Sequence, residues 1–99
     1  MDRLKFRWDA RKNSSNQKKH GISFEEAKSV FLDDFARLIP DPDHSESEDR
    51  FILLGYSHKP RLLVVCHCYL EIDDTIRIIS ARKAEKSERK IYESFRNER

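Results

Sequence analysis

The sequence predicts a single α+β domain over residues 1–99, with a twisted antiparallel sheet, two helices near the N-terminus and one at the C-terminus. Three observations predict this class. A strictly alternating segment opens the chain, two segments with helix start and stop signals follow, and three β-rich apolar runs precede a last helical segment. The expected order of elements is therefore β-α-α-β-β-β-β-α. With 99 residues, the chain can bury one modest core.

The first strand and the first helix are predicted from local signals. Residues 3–8, RLKFRW, alternate basic and apolar side chains, which is typical of a half-buried strand. Asp9 is a good N-cap and Gly21 a good helix stop, so we expect a helix over residues 10–20. This helix is very polar and can contribute little to a core.

The second helix is predicted by a capping box formed by Ser23 and Glu26. Its apolar residues lie on one helical face, and we expect the helix to end near Asp33. A short strand over residues 35–39 should follow.

An acidic segment with two prolines, residues 40–49, is predicted to be an exposed loop. Asp41, Asp43 and His44 in this segment could suggest a metal site, but the calcium-loop pattern is incomplete. A structural loop is the favoured interpretation.

Three β-rich runs follow, at residues 50–57, 61–71 and 75–82, separated by short turns. Such close spacing predicts an antiparallel meander. Residues 84–97 should form the last helix. The predicted core comprises Leu4, Phe6, Phe24, Phe31, Leu63, Val65, Ile79 and Ile91.

Composition limits the class of protein. Hydrophobic residues make up 37% of the chain and charged residues 38%, so most residues must lie on a solvated surface. The longest apolar run, residues 62–66, is far shorter than the roughly 18 residues of a membrane span. The N-terminus lacks the apolar segment of a signal peptide. We therefore expect a cytoplasmic protein without membrane association.

Charge is distributed unevenly along the chain. Residues 1–22 carry a net charge of +5, residues 23–60 carry −5, and residues 61–99 carry +2. If the two basic ends meet in space, they form a face that attracts phosphate groups. The alternative is ordinary solvated helix surface, and charge alone does not discriminate between them.

The two cysteines, Cys66 and Cys68, are two residues apart on a predicted strand and should point to the same face. This spacing is unsuitable for a disulfide between them. A zinc site would require further ligands, and the adjacent His67 should point the opposite way. Buried thiols are therefore the favoured interpretation, and no metal or cofactor is expected.

Four segments, in order, resemble the BrnT family of ribonuclease toxins: NQKKHG (16–21), HSESEDR (44–50), IISARKA (78–84) and ERKIYE (88–93). This resemblance implies a RelE-like fold and the toxin role in a type II toxin–antitoxin pair. It also implies an endoribonuclease that inhibits translation and arrests growth. A cognate BrnA-like antitoxin with a ribbon-helix-helix part would neutralise it, and the complex would bind operator DNA and autoregulate the operon.

RNA cleavage by attack of a 2′-hydroxyl group requires a base, an acid and cations that hold the phosphate. The candidate catalytic residues are Arg77, Arg82, Tyr92 and His67. Further candidates for RNA binding are Lys12, Lys19, His20, Arg61, Lys83 and Arg89.

Each catalytic candidate has a structural alternative. His67 could be a half-buried histidine, and Tyr92 could simply close the last helix onto the sheet. In a regular strand Arg77 and Arg82 point to opposite faces, so they converge only if the strand bulges near Ser80 and Ala81. His20 could chiefly cap the first helix. No carboxylate stands out as a general base.

Two other functions are compatible with a basic face. One is a binding module without catalytic activity that sequesters RNA or a protein. The other, a DNA-binding repressor, is less favoured because no helix-turn-helix signature is present.

Overall fold

The structure, a computed structural model, describes residues 4–41 and 50–97 and has the predicted order of strands and helices. The strands are β1 (Lys5–Arg7), β2 (Arg37–Pro40), β3 (Arg50–Tyr56), β4 (Leu62–Leu70) and β5 (Thr75–Lys83), and the helices are α1 (Ala10–His20), α2 (Phe24–Ser29) and α3 (Lys86–Asn97). The α+β fold class is therefore confirmed. Within the described ranges, no helix is long and apolar enough to span a membrane.

The five strands form one sheet in the order β1-β5-β4-β3-β2. The predicted meander is confirmed, because β3, β4 and β5 pair sequentially and antiparallel. The sheet is not wholly antiparallel, however, since β1 lies parallel to β5 with Phe6 opposite Ile76. Most of the chain separates β1 from β5, so no tight turn forces these two strands into an antiparallel pair.

A β-bulge interrupts β5. Ser80 lies opposite Cys66 and Ile78 lies opposite His67, so Ile79 has no residue opposite it in β4. An extra residue in one strand shifts the alternation of side chains by one position. Ile78 and Ala81 consequently enter the same apolar core, although they are three positions apart.

Local signals set the ends of α1 as predicted. The Asp9 carboxylate accepts hydrogen bonds from the backbone N–H groups of Arg11 at 2.8 Å and Lys12 at 3.1 Å. Gly21 ends the helix in the left-handed region, with φ of 71°. This conformation is readily available to glycine.

Asn16 attaches α1 to the sheet. Its amide group donates to the carbonyl oxygens of Ile22 and Ala81, both at 2.8 Å, and its Oδ1 accepts from the Ala81 N–H at 3.1 Å. β1 pairs with β5 only as far as Arg77, so this part of β5 lies beyond its last backbone partner on that side. Asn16 therefore satisfies a strand edge that would otherwise expose polar groups.

The boundaries of α2 and β2 differ from the predicted ones. The α-helix ends at Ser29 and continues as a 3₁₀ turn to Leu32. Asp33 then holds a turn, because its Oδ1 accepts from the Phe35 N–H at 3.0 Å and its carbonyl accepts from Ala36. This turn delays the start of β2 to Arg37, two residues later than predicted.

Ser23 and Glu26 form only half of the predicted capping box. The Ser23 hydroxyl accepts from the Glu26 N–H at 3.0 Å. The Glu26 carboxylate instead accepts hydrogen bonds from Ser57 and Arg61, which lie at the turn between β3 and β4. A charged partner outside the helix thus replaces the reciprocal cap.

Apolar side chains are buried on both faces of the sheet. One core lies against α1 and α2 and includes Phe24, Leu63, Val65 and Ile78, and the other lies beneath α3. The second core consists of Leu54, Leu62, Val64 and Tyr92, with partly buried neighbours around them.

Phe24, Leu63 and Val65 are fully buried, as predicted. The other five predicted core residues are more exposed than these three. Phe6, Phe31 and Ile79 are partly buried. The burial of Leu4 and Ile91 was predicted wrongly, since they are 52% and 42% exposed. Leu4 precedes a three-residue edge strand. Ile91 is turned outward because α3 presents the neighbouring Tyr92 to the sheet.

Candidate functional site

Arg77 and Arg82 lie on the same face of the sheet, as the bulge at Ile79 requires. The flanking residues Ile76, Ile78 and Ala81 all enter the core against α1 and α2. Neighbouring residues of a strand point to opposite faces, and Arg77 lies between Ile76 and Ile78 while Arg82 follows Ala81. Both arginines therefore project from the opposite face, which carries α3. The sequence analysis required a bulge in this strand for the two arginines to share a face. That bulge is present, at Ile79 and not at Ser80 or Ala81.

Arg82 is held by a bidentate ion pair with Glu88 at the start of α3. Its Nη1 donates to Glu88 Oε1 at 2.9 Å, and its Nη2 donates to Oε2 at 2.8 Å. The Glu88 carboxylate also accepts from the Glu85 N–H at 2.8 Å, so it caps the helix as well. The hydrogen bonds from Arg82 lower the pKa of Glu88, which makes this carboxylate a weak base.

Arg82 also lines a small polar pocket of about 230 Å³, together with Asp41, Arg50, Cys66 and Ser80. This volume is below the roughly 300 Å³ at which sites for larger ligands begin, so the pocket has room for a single base or phosphate. Guanidinium groups, here those of Arg50 and Arg82, are suited to binding phosphate, and the Asp41 carboxylate in the same pocket offsets part of their charge.

Both cysteines are free thiols. Burial raises the pKa of Cys66 to about 11, and its thiol donates to Asp41 Oδ2 at 3.5 Å. Cys68 is buried. Within the part of the chain that the structure describes, no group of three or more His, Cys, Asp or Glu side chains could hold a metal ion. Asp43 and His44 lie outside the described residues.

A second concave region, which we call the basic groove, gathers three of the predicted RNA-binding residues. Arg61, Lys83 and Arg89 line it together with Tyr56, and its volume is about 360 Å³. Arg89 Nη1 donates to the Tyr56 hydroxyl at 3.0 Å, which ties α3 to the end of β3. Cations beside an aromatic ring are the usual elements of a single-stranded nucleic acid site.

Glu88 and Arg89 are consecutive residues of α3 that reach different partners. Glu88 binds Arg82 beside the polar pocket, and Arg89 binds Tyr56 in the basic groove. The first turns of α3 thus connect the two concave regions.

His67 lies on the other face of the sheet. It pairs with Ile78 and packs against Phe31, with ring centroids 5.0 Å apart. It is 4% exposed, and its Nδ1 donates to the Val65 carbonyl at 3.2 Å. Burial lowers the pKa of His67, although the Val65 hydrogen bond opposes this shift. This position favours the structural alternative.

Tyr92 is on the α3 face, but it is buried beneath the helix with 1% exposure. Its hydroxyl donates to Asp33 Oδ2 at 2.7 Å, and its ring packs edge-on against Tyr56 at 5.2 Å. Burial and the Asp33 hydrogen bond raise the pKa of Tyr92 strongly. A buried hydroxyl that already donates to a carboxylate is poorly placed to protonate a substrate, so the geometry favours a structural role.

The candidates on α1 are distributed along an exposed helix. Lys12, Lys19 and His20 are all exposed. The C-terminal end of α1 adjoins the basic groove, because Arg61 Nη2 donates to the Gly21 carbonyl at 3.2 Å. Lys19 and His20 directly precede Gly21, whereas Lys12 lies about two helical turns away.

Sequence reasoning did not identify three acidic or amide side chains that shape the site. Asn16 fixes the bulged end of β5, Glu26 holds Arg61, and Asp33 binds Tyr92. Asn16 was visible only as a member of a family motif. Glu26 had a local explanation as a helix cap, which concealed its long-range partner.

Comparisons with known proteins agree with this architecture. The family model described as "Ribonuclease toxin, BrnT, of type II toxin-antitoxin system" matches residues 8–88. The crystal structure of the Brucella abortus ribonuclease toxin BrnT is similar to the fold, with a TM-score of 0.65 and 21% identity over 85% of this chain and 100% of that chain. No curated protein matches significantly in sequence. Because the family model spans most of the chain, this protein belongs to the BrnT family of ribonuclease toxins of type II toxin–antitoxin systems.

Proposed function

We propose that this protein is a metal-independent endoribonuclease of the cytoplasm, whose cleavage of RNA inhibits translation and arrests growth. The observation that carries the proposal is that Arg77 and Arg82 project from the same face of the sheet, which carries α3, because of the bulge at Ile79. Family membership supports ribonuclease activity in general. The assignment of that activity to these residues is our own inference.

In the proposed reaction the 2′-hydroxyl oxygen attacks the adjacent phosphorus, and the bond from phosphorus to the 5′-oxygen breaks, which leaves a 2′,3′-cyclic phosphate and a 5′-hydroxyl group. The 2′-hydroxyl proton passes to solvent water, and water protonates the departing 5′-oxygen. Negative charge accumulates on the phosphate oxygens during this step, so guanidinium groups fixed beside them stabilise the transition state. Arg82 and Arg77 would supply this stabilisation. Lys83, Arg61 and Arg89 would bind flanking phosphates, and Lys19 and His20 would extend the basic surface.

Arg82 must serve both Glu88 and the substrate. Each terminal nitrogen of a guanidinium group carries two hydrogens, and Glu88 uses one from each. Nη1 also donates to the Lys83 carbonyl at 3.2 Å, which leaves the Nε hydrogen and one Nη2 hydrogen. The remaining N–H groups can contact a phosphate while Glu88 maintains the orientation of the side chain. With 39% of its side chain exposed, Arg82 is accessible for such a contact.

The toxin would be neutralised by a cognate BrnA-like antitoxin with a ribbon-helix-helix part. We propose that the antitoxin covers the basic face around Arg82 and Lys83, because covering these cations blocks the RNA. The toxin would reach operator DNA only through this complex, which would autoregulate the operon.

One assay separates this function from a binding module without activity. Purified protein is incubated with total RNA in the presence of EDTA. Cleavage into discrete fragments is expected for the proposed enzyme. Intact RNA with retarded mobility would instead identify a protein that only binds RNA.

A further inference from the structure

A buried carboxylate lies next to the basic groove without lining it. Glu26 is 1% exposed, yet it lies behind the groove and forms an ion pair with Arg61. Ser57 Oγ also donates to Glu26 Oε2 at 2.7 Å, and the Lys59 ammonium group is 3.7 Å from Oε1.

Arg61 is fixed through one edge of its guanidinium group. Its Nε donates to Glu26 Oε2 at 2.9 Å, and its Nη2 donates to Glu26 Oε1 and to the Gly21 carbonyl. These contacts use Nε and Nη2, so the Nη1 edge points away from Glu26. The Arg61 side chain is 29% exposed and lines the groove beside Lys83 and Arg89.

Stability alone is a weak explanation for this pair. Burying a carboxylate is costly, and well-packed apolar residues often replace buried ion pairs without loss of stability. A planar guanidinium group that is held along one edge, however, presents its other edge in a defined direction. A defined direction matters when the group must bind a ligand.

The neighbours of Arg61 indicate the class of ligand. Three cations line one groove together with Tyr56, which is partly exposed. A groove with several cations suits phosphate, and an aromatic side chain suits an unstacked base. A duplex presents its bases stacked inside, so this combination favours a single strand.

We propose that the basic groove is a subsite for one nucleotide of single-stranded RNA, and that Glu26 is the positioning residue that aims Arg61 at the phosphate of that nucleotide. This inference rests on the proposed ribonuclease function for its ligand. Its new content is the role of Glu26, which acts through Arg61 and does not touch RNA.

The test is a double-mutant cycle on RNA binding. The affinity of a 2′-O-methyl single-stranded oligoribonucleotide, which cannot be cleaved by 2′-oxygen attack, is measured over a range of salt concentrations. The proteins are wild type, Glu26→Gln, Arg61→Met and the double variant, each at equal folded fraction. Lys59→Met is the matched control, because Lys59 is near Glu26 but does not line the groove.

Loss of one phosphate contact reduces the slope of log affinity against log salt by about 0.7 for single strands. We expect this reduction in Arg61→Met, together with an affinity loss of about tenfold. Glu26→Gln should reproduce most of both effects, and it should add little in the Arg61→Met background. Lys59→Met should keep the wild-type affinity within about threefold.

The inference is overturned if Glu26→Gln leaves the salt slope unchanged, or if its effect adds fully to that of Arg61→Met. Cleavage of unmodified RNA by wild-type protein is measured in parallel. If the wild-type protein does not cleave RNA but the binding cycle follows the prediction, the enzymatic function is rejected and the positioning role of Glu26 is retained. If the wild-type protein cleaves RNA but the effects of Glu26→Gln and Arg61→Met on binding are additive, the positioning role of Glu26 is rejected and the enzymatic function is retained.

Discussion

Arg82 and Glu88 form a bidentate ion pair that joins the end of β5 to the first turn of α3, with N–O distances of 2.9 and 2.8 Å. The strand thus ends in a cation whose direction is set by the helix that follows it. A bidentate pair restricts the guanidinium group far more than a single contact does. The arginine that we propose to stabilise the transition state is therefore oriented before RNA binds.

Replacement of Glu88 by Gln should distinguish the effect of Arg82 orientation from the effect of the Glu88 charge. The variant removes a negative charge beside the proposed phosphate site, so the KM for RNA should fall slightly. Because Arg82 loses its bidentate partner, kcat should fall by about tenfold to a hundredfold. The pair is partly exposed, so the cost in stability should stay within about 1 kcal/mol. Steady-state kinetics and urea denaturation measure these quantities, and an unchanged kcat would mean that Glu88 does not orient a catalytic group.

Replacement of Tyr92 by Phe should affect stability more than cleavage. The substitution removes the hydrogen bond to the Asp33 carboxylate, and bonds to charged groups contribute about 1.5–3 kcal/mol. The free energy of unfolding should fall by about that amount, while the folded enzyme cleaves RNA at nearly the wild-type rate. Tyr69→Phe is the matched control, because the Tyr69 hydroxyl donates to Asp74 on an exposed side chain. A Tyr92→Phe variant with wild-type stability and no activity would restore Tyr92 as a catalytic residue.

Replacement of His67 by Phe should leave cleavage intact, since the ring packs between Phe31 and Phe51 on the face opposite Arg82. Burial lowers the pKa of His67, so the unfolded chain binds this proton more readily than the folded protein does. The wild-type protein should therefore lose stability as the pH falls below about 6.5, and the Phe variant should lose less. Urea midpoints at pH 7.5 and 5.5 measure the difference. Loss of cleavage in a stably folded Phe variant would contradict this assignment.

Acid should destabilise the protein through its paired carboxylates. Although burial opposes the shift, hydrogen bonds from Arg61 and Ser57 hold the pKa of Glu26 below its usual value of 4.5. The stabilisation from Glu26 is therefore present above pH 4.5 and is lost as the pH falls through the lower folded value.

Glu26→Gln should accordingly be less stable than wild type by about 2 kcal/mol at pH 7, and the difference should shrink towards pH 3. Urea denaturation across this range provides the measurement. A constant difference at every pH would show that the charge of Glu26 is not what stabilises the fold.

Elements that depend on neighbouring residues in sequence could be predicted closely. Asp9 and Gly21 define the ends of α1 because a cap and a left-handed glycine act within one turn. The strands of the meander were predicted equally well. Strands joined by short turns pair antiparallel, because a parallel pair needs a long crossover connection. The family resemblance, confirmed by the family match, added the fold type and the ribonuclease class.

Features set by contacts between distant residues could not be predicted. The bulge at Ile79 depends on the register of β5 against β4, which no local pattern encodes. The sequence indicated only that Arg77 and Arg82 would share a face if such a bulge existed. The inward face of α3 carries Tyr92, whose partner Asp33 is 59 residues away in sequence, whereas the adjacent Ile91 is exposed.

The role of Arg82 in transition-state stabilisation is tested by the rate of RNA cleavage by Arg82→Ala relative to wild type, in EDTA and at equal folded fraction. Loss of a group that stabilises charge in the transition state should reduce the rate by about a hundredfold or more. The free energy of unfolding should change by no more than about 1 kcal/mol, because the ion pair is partly exposed. Arg77→Ala should show a smaller loss in rate, and Lys28→Ala, a cation on α2 paired with Glu25, should show none. A folded Arg82→Ala variant that cleaves RNA at the wild-type rate would contradict the account, because the reactive phosphate would then have to be held elsewhere.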